Sequence, residues 1–445
     1  MNTPIIDFVD EYIKSGAIRL HMPGHKGTGF YGYEKRDITE VFGADVLSCP
    51  FGIIAESEAN AASLFGAAKT VYSTEGATCS IKQMLYLAVM HAKETGKKPL
   101  ILAGRNAHKA FIGAACEIGF DFEWLTAGGD LLSQKITPDL LKTAMEGAKE
   151  KPSAVYVTSP DYLGNTLDIA GLKRTCEKYG AILLVDNAHG AYLNFLNRNK
   201  HPLNLGADMC CDSAHKSLPC LTGGAYLHIN KAVYGVIGGL IENARSLFAS
   251  TSPSWLILQS LDGLNAYIAN GYKEKLNKFV MKLDVLRFSL FFSGYKFIGD
   301  EPLKITIRAK QHGYYGYEIA DILRKNGIET EFADKDHVVM MFTPENGTLA
   351  VDKLSKVLKS IKKNTINSEV PPAVTLPKRY CHPRDALLSP SEEIAVNRSI
   401  GRVFASSALA CPPAVPIVVA GEVIDENTVK LFEYYGTERI RVLRS

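Results

Sequence analysis

The amino-acid sequence predicts an α/β fold in which a large, mostly parallel sheet carries helices on both faces. Between roughly residues 60 and 290, apolar runs of strand length alternate with segments of helix length. Strands are predicted at 154–158 and 181–185, and helices near 108–119 and 168–179. The alternation favours parallel strands joined by helical crossovers, because two neighbouring parallel strands need such a connection.

The chain is expected to divide into four regions. An N-terminal arm covers 1–45, a large domain 46–290, a small domain of mixed α and β structure 291–370, and a C-terminal tail region 371–445. The polar, proline-containing segment 364–372 is typical of a linker. A long amphipathic helix is predicted at 271–290, and the small domain is predicted from the β-α-β-α pattern that follows it, at 304–307, 316–326, 337–342 and 349–363.

Composition excludes several classes of protein. The net charge is only +3 and no block of like charge occurs, so no nucleic-acid partner is expected. The N-terminus lacks the long apolar segment of a signal peptide, and no apolar run is long enough to span a membrane. The nine cysteines follow no metal-ligand spacing, so we expect reduced cysteines, no metal site and a cytoplasmic location.

Two residues at the ends of predicted strands indicate a pyridoxal 5'-phosphate (PLP) site. Lys216 lies in a short polar loop after an apolar run, where its amine could form an imine with an aldehyde cofactor. Asp186 directly follows the run 181–185, where a carboxylate could keep the cofactor's ring nitrogen protonated. The alternatives are a solvated surface lysine and an aspartate that caps a turn, and the two residues together favour the cofactor.

Other residues near these two could complete such a site. Gly76, Ala77 and Thr78 precede an apolar helical run, and a helix start of this kind suits a phosphate group, although an ordinary helix cap is equally compatible. His189 could reach the ring oxygen, and His108 could lie flat on the ring. Considered alone, His189 would be interpreted as a packing residue and His108 as a residue at the start of a helix.

Several candidate residues share one feature, which is that each follows a predicted strand. In open parallel sheets, ligands bind beyond the carboxyl ends of the strands. We therefore expect these residues at one edge of the sheet: Arg105, His108, Ser159, Asp186 and His215.

With these residues assembled, the chain resembles the bacterial ornithine/lysine/arginine decarboxylases of the aspartate aminotransferase fold type. The resemblance spans nearly the whole chain and is carried by eight motifs in the family's order. They are His21-Met22-Pro23-Gly24-His25-Lys26-Gly27, Phe65-Gly66-Ala67, Gly76-Ala77-Thr78, Arg105-Asn106-Ala107-His108-Lys109, Asp186-Asn187-Ala188-His189-Gly190, Ser213-Ala214-His215-Lys216, Ser250-Thr251-Ser252-Pro253, and Pro412-Pro413-Ala414-Val415-Pro416 through Gly421-Glu422.

The resemblance implies a type I PLP enzyme that removes the α-carboxylate of a basic L-amino acid (lysine, ornithine or arginine) as CO₂, leaving a di- or polyamine. It implies that Lys216 holds the cofactor, that Asp186 pairs with its ring nitrogen and that His108 stacks on the ring. The expected catalytic residues are Lys216, Asp186, His108 and His215. The phosphate is expected among Gly76, Ala77, Thr78, Ser213 and His215, with Thr251 reaching the site of a neighbouring subunit.

The resemblance also implies a homodimer, or a higher homo-oligomer, with shared active sites. Glu422 is our candidate for contacting the distal cation of the substrate, because a buried cation needs a carboxylate partner. The chain departs from the family at Glu75-Gly76-Ala77, where Asn-Gly-Ser/Thr is usual, and at Ala414 and Ala420. It starts at the arm, so we expect a short form without the N-terminal receiver-like domain and without decameric assembly.

Two other functions stay open from the sequence. One is a different PLP reaction on the same fold, such as aminotransfer or aldol cleavage. An aminotransferase normally fixes the substrate α-carboxylate with an arginine, and Arg384 and Arg402 in the tail are the candidates. The other is a non-catalytic regulator, which the joint presence of Lys216, Asp186 and His108 disfavours.

Overall fold

The structure is a computed structural model that describes residues 1–128, 130–407 and 415–444. The strands are β1 Lys69–Ser73, β2 Leu100–Gly104, β3 Asp121–Leu125, β4 Ala154–Thr158, β5 Ile182–Asp186, β6 Met209–Asp212, β7 Ala225–Ile229, β8 Phe297–Ile298, β9 Lys304–Arg308, β10 Phe332–Ala333, β11 His337–Met341, β12 Ser391–Ala395 and β13 Arg439–Leu443.

The helices alternate with these strands over much of the chain. They are α1 Pro4–Lys14, α2 Ile53–Phe65, α3 Gly76–Glu94, α4 Lys109–Ile118, α5 Pro138–Gly147, α6 Ile169–Tyr179, α7 Ala214–Ser217, α8 Lys231–Ile237, α9 Ile241–Phe248, α10 Trp255–Tyr267, α11 Lys273–Phe292, α12 Gly316–Lys325, α13 Gly347–Ser360, α14 Pro383–Leu387 and α15 Glu426–Tyr434. None of the helices in the described residues is both long and apolar enough to cross a membrane.

The chain forms two compact units, each built from two separate segments. The first unit contains residues 1–99 and 176–276, and the second contains 100–175 and 277–445. These units cut across the predicted regions, because each combines segments that are distant in sequence. The predicted boundaries after residues 45, 290 and 370 therefore stay predictions.

The first unit is organised around strands in the order β1-β7-β6-β5. β5 and β6 are parallel, whereas β7 runs antiparallel to both β6 and β1. Every residue of β5 is buried, as expected for a parallel strand that is covered on both faces. α3 packs against β1, β6 and β7, so its first turn lies close to the strands that carry the site.

The second unit contains parallel strands in the order β4-β2-β3 and a separate antiparallel sheet in the order β10-β11-β9-β8. The antiparallel sheet and its helices confirm the predicted β-α-β-α pattern. β12 pairs with β13 near the C-terminus. Residues of the C-terminal segment, including Phe404, Val418, Ile424 and Phe432, bury their side chains in the core of this unit.

Candidate active site

Lys216 lies on α7, a single helical turn that directly follows the buried strand β6. Its Nζ is 3.1 Å from Nε2 of His189, so the two side chains meet although they are 27 positions apart. His215 Nδ1 donates to the carbonyl oxygen of Gly224 at 3.0 Å. The loop after β6 therefore has a fixed geometry, and it places a primary amine beside an imidazole ring.

Asp186 is the last residue of β5, and only 2% of its surface is exposed. Its Oδ1 accepts a hydrogen bond from the backbone N–H of Ala188 at 3.1 Å and one from the thiol of Cys211 at 3.6 Å. Burial raises the pKa of the Cys211 thiol well above its ordinary value, so this group stays protonated and can donate. A buried carboxylate at a strand end is suited to pair with a protonated ring nitrogen.

The first turn of α3 has the geometry of an anion site. Gly76 begins the helix in the left-handed conformation, with φ of +72°, and Glu75 makes no side-chain cap. The N–H of Gly76 donates to Gly223 at 2.7 Å, which leaves the N–H groups of Ala77 and Thr78 among the helix-start donors that suit a phosphate. Thr78 is exposed.

This turn lies beside the segment that carries Asp186 and His189. Ala77, Ala188 and Ala225 form one small cluster of buried residues, which brings the start of α3 next to the residues after β5. Gly223 packs so tightly on Thr74 that an added Cβ would lie 2.7 Å from the carbonyl oxygen of Thr74. Close backbone packing thus fixes the turn before α3 relative to β5 and β7.

These residues fit PLP by the chemistry of their groups. Lys216 offers an amine for the aldehyde, Asp186 offers a buried carboxylate for the ring nitrogen, and the start of α3 offers backbone donors for the phosphate. PLP supplies an electron sink when it is bound to such a set of residues. Ser213, which precedes α7, is buried at the same strand end.

Glu75 holds the loop that contains Thr251. Its Oε1 accepts a hydrogen bond from the backbone N–H of Ser250 at 2.8 Å. Glu75, which stands where the family usually has asparagine, therefore links the turn before α3 to the loop after α9. Thr251 itself is exposed, and its predicted reach into a neighbouring subunit stays a prediction.

His108 is the N-cap of α4. Its Nδ1 accepts a hydrogen bond from the backbone N–H of Ala110 at 3.1 Å, which is the helix-start role that the sequence also allowed. Because Nδ1 accepts this bond, the ring proton of the neutral histidine lies on Nε2. The cap fixes the ring orientation, and stacking on a cofactor ring stays a prediction.

Glu422 lies in a buried cluster that sequence reasoning only partly anticipated. Its Oε1 accepts from Trp124 Nε1 at 2.9 Å and its Oε2 from the N–H of Val419 at 2.7 Å, while Arg105 Nη2 lies 3.8 Å away. Arg105 also donates to the carbonyl oxygens of Pro416 and Ile417, both at 2.8 Å.

This cluster bears on the predicted role of Glu422. Burial lowers the pKa of Arg105, and the negative charge of Glu422 opposes that effect. The carboxylate thus already has internal partners, so its contact with a substrate cation stays a prediction. Of the departures noted in the tail, Ala420 is buried, whereas Ala414 lies outside the described residues.

The predicted strand-end positions are confirmed for the individual strands. Arg105 and His108 follow β2, Ser159 follows β4, Asp186 ends β5, and His215 follows β6 by three positions. That all five share one edge of the sheet stays a prediction. Neither Trp124 nor Asp212 was predicted as a site residue from the sequence. The available signal for Trp124 was a large aromatic residue in a short strand that also contains Asp121 and Glu123.

The fold and the site residues define a type I PLP-dependent enzyme. The structure is similar to the constitutive lysine decarboxylase of E. coli, with a TM-score of 0.76, 17% identity, and coverage of 100% of this chain and 82% of that chain. It is also similar to lysine decarboxylase A from Pseudomonas aeruginosa, with a TM-score of 0.78, 16% identity, and coverage of 99% and 80%.

The chain belongs to the Orn/Lys/Arg decarboxylase family. Residues 3–289 match the major domain of that family, and residues 367–439 match its C-terminal domain. The chain is 30% identical to the uncharacterized protein YaaO of Bacillus subtilis, over 97% of this chain and 93% of YaaO. It is 28% identical to an arginine decarboxylase of Halalkalibacterium halodurans, over 96% and 92%. It is accordingly a PLP-dependent amino-acid decarboxylase.

Proposed function

We propose that the chain decarboxylates a basic L-amino acid with Lys216 and Asp186 as the central catalytic residues. The observation that carries this proposal is the contact of 3.1 Å between Lys216 Nζ and His189 Nε2, next to the strand that ends in the buried Asp186. PLP held by these residues would supply an electron sink for the electrons of the bond that breaks when CO₂ departs.

The protein's own groups have three tasks in this proposal. Lys216 holds the cofactor and then returns a proton to the α-carbon, with His189 next to its Nζ as a partner in proton transfer. Asp186 keeps the ring nitrogen protonated. His108 would lie on the ring, while Gly76, Ala77, Thr78, Ser213 and His215 would surround the phosphate.

The two tail arginines that were candidates for fixing a substrate α-carboxylate, Arg384 and Arg402, do not favour aminotransfer. Arg402 Nη2 donates to Glu392 at 2.7 Å and to the carbonyl oxygen of Leu443 at 2.6 Å, so that nitrogen is already used within the C-terminal segment. Arg384 is exposed. Neither has the setting of a buried group that would fix a substrate α-carboxylate, and a decarboxylase must leave that group able to depart.

Arginine is the first substrate to test. Among the relatives, those at 27–28% identity are named arginine decarboxylases, whereas the lysine decarboxylases are similar in fold at 14–17% identity. Lysine and ornithine differ from arginine in length and head group, so they are the matched alternatives. We also expect the protein to act in the cytoplasm.

A homodimer with shared sites is the proposed active unit. The N-terminal segment exposes several large apolar side chains, with 91% of Leu20, 98% of Phe30 and 85% of Phe51 accessible. Such a concentration of exposed apolar groups is typical of a surface that another subunit covers. The exposed Thr251 loop would then have a neighbouring site within reach.

One experiment tests the proposed reaction and the role of Lys216 together. Purified protein is incubated with PLP, reduced with borohydride and mapped by peptide mass spectrometry, while amine products are measured with arginine, lysine and ornithine in parallel. We expect the pyridoxyl label on Lys216 and one amine product with release of CO₂. Lys216→Ala should lose both label and activity, and Lys231→Ala, at an exposed position, should keep both. A label elsewhere, or a keto acid as product, would contradict the proposal.

A further inference from the structure

A network of buried polar side chains crosses the four strands of the first unit. It runs from Thr70 on β1 through His228 on β7 and Asp212 on β6 to Asn187, the residue after β5. His201, from the segment before β6, joins it at Asp212. All five residues have 0% of their surface exposed, so each contact replaces water that the group lost on folding.

Asp212 is the central residue of this network. Its Oδ1 accepts a hydrogen bond from Asn187 Nδ2 at 2.6 Å, and its Oδ2 accepts one from His201 Nε2 at 2.9 Å. His228 Nε2 lies 3.3 Å from the same Oδ2, and His228 Nδ1 is 2.9 Å from the hydroxyl oxygen of Thr70. One carboxylate therefore joins side chains from three other parts of the unit.

The network keeps the Asp212 carboxylate ionised. Burial alone would raise the pKa of Asp212, but His201 and His228 more than offset that effect and hold the pKa well below its ordinary value. Burial lowers the pKa of His228, which favours the neutral ring there. A buried carboxylate that accepts hydrogen bonds from two side-chain donors, Asn187 and His201, is a rigid junction, because losing either bond leaves a desolvated group unsatisfied.

Two residues of this network, Asn187 and Asp212, lie close in sequence to the two central residues of the site, Asp186 and Lys216. Asn187 directly follows Asp186, and its backbone N–H donates to the carbonyl oxygen of Cys211 at 3.0 Å. Asp212 directly precedes the loop Ser213 to Lys216. A change in the distance between Asn187 and Asp212 would thus change the separation of Asp186 from Lys216.

We propose that Asp212 is a positioning residue that fixes the Asp186 strand end relative to the Lys216 loop and so sets how tightly PLP is held. This inference rests on the proposed function, because it assumes that both residues bind the cofactor. Asp212 acts through Asn187 and through its own backbone, and it touches no reacting atom. In this role Asp212 lies behind the site residues, where hydrogen bonds between buried side chains hold the ends of β5 and β6 in place.

Metal binding is the alternative use of these side chains. Donor atoms of His201, Cys210 and Asp212 lie within 4.8 Å of one another, and all three residues are buried. The hydrogen bond between His201 Nε2 and Asp212 Oδ2 already satisfies both atoms. Burial also raises the pKa of the Cys210 thiol well above its ordinary value, and a protonated thiol is a poor metal ligand. The geometry therefore favours the hydrogen-bonded junction.

The test is the variant Asp212→Asn in the full-length protein, with Glu58→Gln as a matched control. Glu58 is also fully buried in the first unit and is paired with Arg245 at 2.6 Å and Lys69 at 2.9 Å, but it has no part in the site. Dissociation constants for PLP, the circular dichroism that the protein induces in the cofactor band and urea unfolding of the PLP-free protein are measured for each variant.

Asp212→Asn should raise the PLP dissociation constant at least tenfold and weaken the induced circular dichroism. Glu58→Gln should lower resistance to urea while its PLP affinity stays within twofold of wild type. If Asp212→Asn does not fold, Asn187→Ala decides the matter, because it removes only the bond to Oδ1. We expect that variant to weaken PLP binding at least threefold.

Three outcomes separate the possible failures. If borohydride labels Lys216 in wild type and variant alike but the affinity and dichroism of Asp212→Asn or Asn187→Ala match wild type, the positioning role is wrong and the proposed function stands. If Lys216 is not labelled in the wild type, the proposed function itself fails. A stoichiometric metal that elemental analysis finds in wild type and not in Asp212→Asn would overturn the hydrogen-bonded junction.

Discussion

Replacing Glu422 with glutamine separates the two roles that its carboxylate could have. In the structure, the carboxylate satisfies Trp124 and the N–H of Val419 and faces Arg105. In the proposed substrate role, it would instead neutralise the distal cation of the amino acid. The first role predicts a loss of stability in the absence of substrate, and the second predicts a higher KM at unchanged stability.

The magnitude follows from burial and distance. Only 1% and 2% of the Arg105 and Glu422 side chains are exposed, so solvent screens their interaction little. Removing one member of a buried ion pair typically costs about 3–5 kcal/mol. Arg105 lies 3.8 Å from the carboxylate and keeps its hydrogen bonds to two carbonyl oxygens in the variant. The cost of removing the negative charge of Glu422 should therefore be smaller than for a close ion pair. We expect Glu422→Gln to lower the free energy of unfolding by about 1–3 kcal/mol, the cost of one buried group left unsatisfied.

Urea unfolding of the PLP-free protein measures the loss of stability in Glu422→Gln. Steady-state kinetics with the three amino acids tests the substrate role of Glu422. A double-mutant cycle with Arg105→Met then isolates the coupling between the two side chains. Glu301→Gln is the matched control, because Glu301 forms a buried pair with Lys304 at 3.0 Å in the same unit. Stability unchanged within about 0.5 kcal/mol, together with a KM raised roughly tenfold or more, would refute the structural role.

Three further predictions concern other residues. Asp186→Ala should keep its fold and lose at least about a thousandfold in kcat, since several kcal/mol of carbanion stabilisation correspond to that factor, and an activity within tenfold of wild type would contradict the pairing. Burial raises the pKa of Asp262 from 3.8 to about 6, so the folded state binds this proton more tightly and the free energy of unfolding should fall as pH rises from about 4 to about 6. Asp262→Asn should remove that part of the slope in urea titrations, and an unchanged slope would assign it to other groups. Lys216→Ala and Thr251→Arg, each inactive alone, should restore activity when mixed if sites are shared, whereas inactive hybrids that demonstrably form would count against sharing.

The sequence was sufficient to predict strands such as β4 and β5 and the residues at their ends. Strand β4 has the bounds that were predicted, 154–158, and β5 differs from its prediction by one residue at each end. These strands are continuous apolar runs, and every β5 residue is buried. In such runs the position of the first polar residue marks the strand end, so Asp186 could be located from local pattern alone.

The partners of the site residues could not be predicted in the same way. Asp212 meets His228 because β6 and β7 pair in a register that sets Cys210 opposite His228, and a shift by one residue would turn Asp212 to the other face. Glu422 meets Trp124 across 298 positions of sequence. Contacts of this kind depend on sheet register and tertiary packing, which local patterns do not specify.

The altered turn at Glu75-Gly76-Ala77 changes one part of the proposed phosphate site and leaves another part unchanged. Replacing a serine or threonine by Ala77 removes one hydroxyl donor, whereas the N–H groups of the first helical turn belong to the backbone and remain. They depend on the left-handed Gly76 and on its bond to Gly223, both of which are present. Glu75 meanwhile binds the backbone of Ser250, so the new side chain serves the loop rather than the phosphate. The backbone donors of the proposed phosphate site are therefore present despite the departure, and Glu75 links the turn to the loop that contains Ser250.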